Sequence, residues 1–189
     1  MTRAISPANL RAQHAGLNDE PAEIGNVNMH ILVAGGTLDK EYNELTGELF
    51  FKDTHLPEML RLSRSSLQVE IQMLMMVDSL LMTAADREQV AQSCRTVSSD
   101  RIVVTHGTDT MVETAAVLGR SIHHKTIILT GAMIPYKIKS SDGMLNLGAA
   151  LAYAQCLPFG VYVAMNGHAF LWDNVRKNKA LGVFEPIRE

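Results

Sequence analysis

The chain has 189 residues, with 20 Asp or Glu against 17 Lys or Arg, for a formal net charge of −3. Apolar residues make up 47% and charged residues 20%, a globular balance at a length that suits one domain, or one domain with a short appendage. So small a charge leaves no footprint for nucleic acid or an acidic membrane surface, and no apolar run approaches the roughly 18 residues of a membrane span.

Cys94 and Cys156 are too few for a disulfide scaffold and lack metal spacing, which suits a reducing compartment and hence the cytoplasm. The seven histidines show no ligand spacing either, so no metal is expected, and no cofactor is expected. Residues 1–26 contain charges but no apolar stretch of a secretory signal. Rich in Ala, Asn, Glu, Pro and Gly and without a sustained period, they read as a flexible leader ahead of a domain over residues 27–189.

From Met29 the pattern changes. Met29-His30-Ile31-Leu32-Val33-Ala34 is an apolar run ending at Gly35-Gly36-Thr37, a predicted strand and turn. Residues 53–63 predict a helix with Leu56, Met59, Leu60 and Leu62 on one face, and residues 69–77 a long, Met-rich apolar stretch. Thr83-Ala84-Ala85-Asp86 offers a capping-box variant, followed by Val90, Ala91, Cys94 and Val97 at helical spacing. Residues 101–105 form a β-branched strand run that leads into His106-Gly107-Thr108-Asp109. Thr110-Met111-Val112-Glu113 predicts a second capping box, opening a helix with Met111, Ala115 and Leu118 on one face. A strand over residues 126–130, a polar loop over 133–142, a helix over 143–155 and a strand over 160–165 complete the pattern.

Strands thus alternate with helices, and most strands are continuous apolar runs of the kind buried on both faces. The expected fold class is α/β, a mostly parallel sheet with helices on both faces. In such sheets ligands gather beyond the carboxyl ends of the strands. Four loops then matter: those after Ala34, Val77, Thr105 and Met165.

The chemistry at those loops is specific. Gly35 and Gly36 let the backbone turn sharply and turn N–H groups towards a small anion, although a plain strand-to-loop turn explains them equally well. Their spacing fits neither the dinucleotide nor the P-loop fingerprint. Thr108 and Asp109 sit where an apolar strand meets a helix N-terminus, and helix capping already accounts for Thr110 but not for them. His106 reads as a packed, hydrogen-bonded loop histidine rather than a base.

Four segments resemble the bacterial-type L-asparaginase family, in family order: Ala34-Gly35-Gly36-Thr37, Thr105-His106-Gly107-Thr108-Asp109-Thr110-Met111, Thr130-Gly131-Ala132-Met133 with Ser141-Asp142-Gly143 beyond it, and Asp173-Asn174-Val175-Arg176-Lys177. The likeness is strongest to the short, single-domain form lacking the C-terminal domain, and covers roughly residues 29–185. It implies an amidohydrolase converting L-asparagine to L-aspartate and ammonia through an acyl-threonine. Thr37 would be the primary nucleophile. Thr108, Asp109 and Lys177 would form a second cluster, with Lys177 as base or proton relay and Asp109 gripping the substrate's α-ammonium. Ser79 would hold the α-carboxylate, Gly36 and Gly107 would line the substrate, and Tyr42 is the nearest match to the family's loop tyrosine.

The residue types suit that chemistry. A threonine hydroxyl needs a proton acceptor to become a nucleophile. A lysine accepts that proton only where desolvation or a nearby cation lowers its pKa. A developing oxyanion needs aimed N–H donors. Lys177 also reads as a solvated surface charge beside Arg176 and Lys179, and Tyr42 as cover for the core edge.

Two departures stand out. Leu38-Asp39-Lys40 follows Thr37 where longer members continue with small or apolar residues, and Leu80-Leu81 follows Ser79 where a polar pair is common. The leucines motivate an alternative, a non-catalytic amino-acid sensor on the same fold; a nucleotide-binding domain rests on Gly35-Gly36-Thr37 alone. Without a second domain, water exclusion falls to the chain's own loops or to an identical neighbour, so a homo-oligomer, most simply a two-fold dimer, is expected. Met73, Met75 and Met76 suit a core strand or such an interface.

Overall fold

The computed structural model describes residues 28–188. The predicted leader over residues 1–26 lies outside the described residues. Seven strands and helices expected from the apolar pattern form a layered core: β1 (Met29–Gly35), α1 (Leu56–Leu62), β4 (Val69–Val77), α2 (Ala84–Thr96), β5 (Arg101–Thr105), α3 (Met111–Ser121) and β6 (Thr126–Thr130). They continue into α4 (Gly143–Cys156) and β7 (Gly160–Met165). Five strands not signalled by that pattern join them: β2 (Lys40–Asn43), β3 (Glu48–Phe51), β8 (His168–Leu171), β9 (Arg176–Asn178) and β10 (Val183–Glu185).

The main sheet has six strands in the order β4-β1-β5-β6-β7-β8, parallel from β4 to β7, with β8 antiparallel at the edge. Two antiparallel hairpins, β2–β3 and β9–β10, stand apart from it. Successive strand residues face opposite layers. Ile31 and Val33 pack with Leu56 and Met59 of α1 and with Leu147, Ala150 and Ala154 of α4. Leu32 and Ala34 pack with Val90, Ala91 and Cys94 of α2 and with Met111, Ala115 and Leu118 of α3. Helices therefore cover both faces, and burial pushes the Cys94 thiol up to about 12.

Three local expectations change. Leu62, expected on the buried face, is 53% exposed, because α1 ends there; Leu56 and Met59 are buried in the core and Leu60 packs partly against it. The capping box at Thr83 and Asp86 is present, but Thr110 makes no side-chain cap. Its hydroxyl instead donates to the Ser79 carbonyl at 2.8 Å, while Glu113 pairs with Arg87 of α2 at 2.7 Å. The loop after Met165 is a turn through Asn166, with φ 55°, and Gly167 that folds directly into β8, so it is no strand-end site loop. Asn166 serves another purpose: its side-chain oxygen accepts from the Phe184 N–H at 2.9 Å and ties β10 to the sheet.

His106, at the end of β5, is fully buried. The Gly107 carbonyl at 2.7 Å can only accept, so Nδ1 carries the proton and Nε2 accepts from the Thr114 hydroxyl at 2.8 Å. The ring thus clamps the β5 turn onto α3, and burial holds its pKa down at about 4. A histidine kept neutral in the fold but free to charge when unfolded destabilises the fold in acid. Its contribution is complete above the unfolded value of about 6.5 and is lost as pH falls towards about 4, on the order of 3 kcal/mol in all. Urea midpoints are expected to fall between about pH 7 and about pH 4.5, and to fall less in His106→Gln. Equal falls in both proteins would show that another group carries the effect.

Candidate active site

The site is set by how closely three turns approach at the carboxyl edge of the sheet. Gly36 has a φ of 97°, and a Cβ there would lie 2.4 Å from the Gly107 nitrogen and 2.6 Å from its Cα. A Cβ on Gly107 would in turn lie 2.6 Å from both Cβ and Oγ of Ser79. No side chain larger than hydrogen fits at either position, and Gly36 also has a backbone that other residues rarely adopt. The turn after β1 therefore rests on the turn after β5, which rests on the end of β4. The Thr110 hydroxyl reinforces the last contact through the Ser79 carbonyl.

Thr37 opens a short 3-10 turn over Thr37–Asp39 directly after Gly36. It is half-buried, and among the described residues its hydroxyl makes no hydrogen bond. Thr108 follows Gly107 and is buried. The Lys177 ammonium reaches it from β9, 2.8 Å from the Thr108 hydroxyl and 2.8 Å from an Asp109 carboxylate oxygen. The Lys177 side chain is 9% exposed, so it is not a solvated surface charge. Lys177 lies opposite Phe184 in the β9–β10 hairpin, and Phe184 is seated in the core. Core packing on one strand thus fixes the amine on its neighbour.

Met133, in the loop after β6, closes the far side of the pair, with its sulfur 3.4 Å from the Thr108 hydroxyl. Asp142 holds that loop by accepting from the Met133 and Ile134 N–H groups at 3.0 Å and from the Asn146 amide at 2.9 Å. Asn146 is fully buried and joins Gly131 to Asn166. Asp142 and Met133 lie within segments visible in the sequence, although their part in shaping the site was not; Asn146 and Asn166 gave no signal.

The structure thus brings Thr108, Asp109 and Lys177 into one bonded row, with Gly36, Gly107 and Ser79 in contact beside it and Thr37 next to Gly36. Tyr42 stands apart. It lies on β2 opposite Leu49, 57% exposed, and its hydroxyl makes no hydrogen bond among the described residues. Of the carboxylates nearby, Asp109 commits one oxygen to Lys177 and stays partly open to solvent. An amine, two alcohols and an acid at one sheet edge can bind a small zwitterion and move protons at an amide.

Comparison with known proteins agrees with this arrangement. A family model described as asparaginase, N-terminal, matches residues 28–184. The L-asparaginase of Thermococcus kodakarensis is 28% identical over 158 residues, which is 81% of this chain and 48% of that protein. Its solved structure superposes with a TM-score of 0.76, covering 86% of this chain and 52% of that one. A glutaminase-asparaginase of Acinetobacter glutaminasificans is 42% identical over 93 residues, 47% of this chain and 28% of the relative. A Campylobacter jejuni structure described as a probable cytoplasmic L-asparaginase gives a TM-score of 0.74 at 26% identity, covering 85% of this chain and 53% of that one. The chain spans at most about half the length of these relatives. With 28–184 matched and the same layered sheet, the chain belongs to the asparaginase family, over the region of that family's N-terminal domain.

Proposed function

We propose that the protein hydrolyses L-asparagine to L-aspartate and ammonia through an acyl-threonine intermediate. The observation that carries this reading is the Lys177 ammonium 2.8 Å from both the Thr108 hydroxyl and the Asp109 carboxylate. Family membership supports it, as do relatives named L-asparaginase and glutaminase-asparaginase.

In this mechanism the Thr37 oxygen attacks the side-chain amide carbon, and the carbonyl oxygen takes up negative charge beside the N–H groups of the glycine turns. The hydroxyl proton of Thr37 passes to the leaving nitrogen, the C–N bond breaks and ammonia departs. Water then attacks the threonine ester, gives its hydroxyl to the acyl carbon and returns a proton to Thr37, releasing L-aspartate. Thr108 relays these protons, and Lys177, as its neutral amine, takes them up and returns them. Asp109 grips the α-ammonium with its open oxygen, and Ser79 receives the α-carboxylate. Tyr42, on the hairpin that follows Thr37, is the side chain assigned to close over bound substrate.

Glutamine is a secondary substrate in this reading, since one methylene alters discrimination by only about 1–3 kcal/mol. The free Cys94 and Cys156 and the likeness to the Campylobacter structure support a cytoplasmic enzyme. A second copy of the chain would complete the shielding of the site from water.

Purified protein is expected to release ammonia from L-asparagine and more slowly from L-glutamine. Thr37→Ala and Lys177→Met are each expected to lower turnover by on the order of 10²–10⁴-fold with unchanged circular dichroism. Near-native turnover in both variants would overturn the assigned roles, whereas ligand-induced thermal stabilisation without ammonia would favour an amino-acid sensor. Light scattering at micromolar concentration is expected to give at least twice the chain mass of 20.8 kDa, and a monomer would reject the oligomer.

A further inference from the structure

The three residues after Thr37 each anchor to a different part of the molecule. The Leu38 carbonyl accepts from the Tyr136 N–H at 3.1 Å, in the loop after β6. The Lys40 ammonium pairs with Asp78 at the end of β4. Between them Asp39 is fully buried, and its Oδ1 accepts from the His55 N–H at 2.9 Å and the Thr54 hydroxyl at 3.1 Å. These donors sit at the N-terminal end of α1, where helix N–H groups lack intrahelical partners. His55, the N-cap, gives no side-chain cap; the Thr54 hydroxyl oxygen accepts from the Leu56 N–H at 3.4 Å, and the His55 N–H is taken by a carboxylate from another segment, Asp39.

Among the described residues the other oxygen of Asp39 has no hydrogen-bond partner, although it is buried. Burial pushes the carboxyl pKa up, opposed by the bonds from His55 and Thr54 and by the nearby His55 ring, and reinforced by Asp53. Hydrophobic packing alone would be better served by an apolar residue, because a buried acid with one unsatisfied oxygen is costly. A group kept at that cost two positions from Thr37 serves the geometry of the turn.

We propose that Asp39 is a positioning residue for Thr37: by fastening the turn to the start of α1 through Oδ1, it sets the direction of the attacking hydroxyl. This rests on the reading of Thr37 as the nucleophile. Leu38 and Lys40 fasten the turn to the β6 loop and to Asp78, and Asp39 fastens it to the start of α1. Fully buried and bonded to the start of α1, Asp39 acts on the chemical step and not on substrate binding.

The test compares Asp39→Ala with Asp39→Asn, which keeps the accepting oxygen and removes the charge. Ammonia release from L-asparagine gives kcat and KM for variants shown to be folded by circular dichroism. Asp39→Ala is expected to lower kcat by on the order of tenfold to a hundredfold with KM within about threefold, as a small misplacement of a reacting group does. Asp39→Asn is expected to recover kcat to within about threefold of the parent. Unchanged kcat in Asp39→Ala, an effect confined to KM, or no recovery in Asp39→Asn would each overturn the proposal. Should Asp39→Ala fail to fold, Thr54→Val removes one of the two donors and is expected to lower kcat several-fold; an unchanged kcat there overturns the proposal equally. Nuclear magnetic resonance of the Thr37 methyl group separates this claim from the activity. If the parent released no ammonia the nucleophile reading would fail, yet Asp39→Ala would still be expected to shift and mobilise that methyl, and an unmoved resonance would overturn the positioning role.

Discussion

Contact between bare backbones at the carboxyl edge of the sheet is the constraint on which the rest of this molecule depends. With only hydrogen on the α-carbon, Gly36 lies against Gly107 and Gly107 against Ser79, at distances that leave no room for a methyl group. Parallel strands hold their ends about 4.8 Å apart, and ordinary side chains on the connecting turns would splay those ends outward. Here the turns touch, so the residues immediately following them are delivered to one neighbourhood. Thr37 comes from the first turn and Thr108 and Asp109 from the second. Chemistry that needs groups within hydrogen-bond reach of one another follows from that closeness.

Around this contact polar side chains hold the loops, His106 and Asn146 fully buried and Asp142 and Asn166 half-buried. His106 clamps the β5 turn onto α3, and Asp142 gathers the N–H groups of the β6 loop. Asn146 and Asn166 link that loop to the β9–β10 hairpin that bears Lys177. The buried His106 and Asn146 are hydrogen-bonded where an unpaired group would be destabilising, so each specifies a single arrangement. Lys177 and Thr108 lie 69 residues apart in sequence. What joins them is this chain of amide hydrogen bonds together with the burial of Phe184.

The layered core was legible because strands buried on both faces must be continuously apolar. Residues 101–105, 126–130 and 160–165 coincide with β5, β6 and β7 for that reason. The two hairpins were illegible because their residues are largely polar or half-exposed: Lys40-Glu41-Tyr42-Asn43 and Arg176-Lys177-Asn178 have no apolar alternation to read. Thr110 shows how a correct motif can mislead, since its position is that of a helix cap while its hydroxyl clasps Ser79. For the site, family likeness pointed to Thr108, Asp109 and Lys177, and the geometry joins them. Asn146 and Asn166 could not be found that way, because the need for them arises only when β9 and β10 are folded against the sheet.

The central claim is that these turns and the β9 hairpin surround one common binding place. A crystal structure of the protein soaked with L-aspartate tests it most directly. The account predicts a single aspartate with its side-chain carboxyl beside the Thr37 and Thr108 hydroxyls, its ammonium on Asp109 and its α-carboxylate towards Ser79. An aspartate bound elsewhere, or those side chains facing separate hollows, would contradict it.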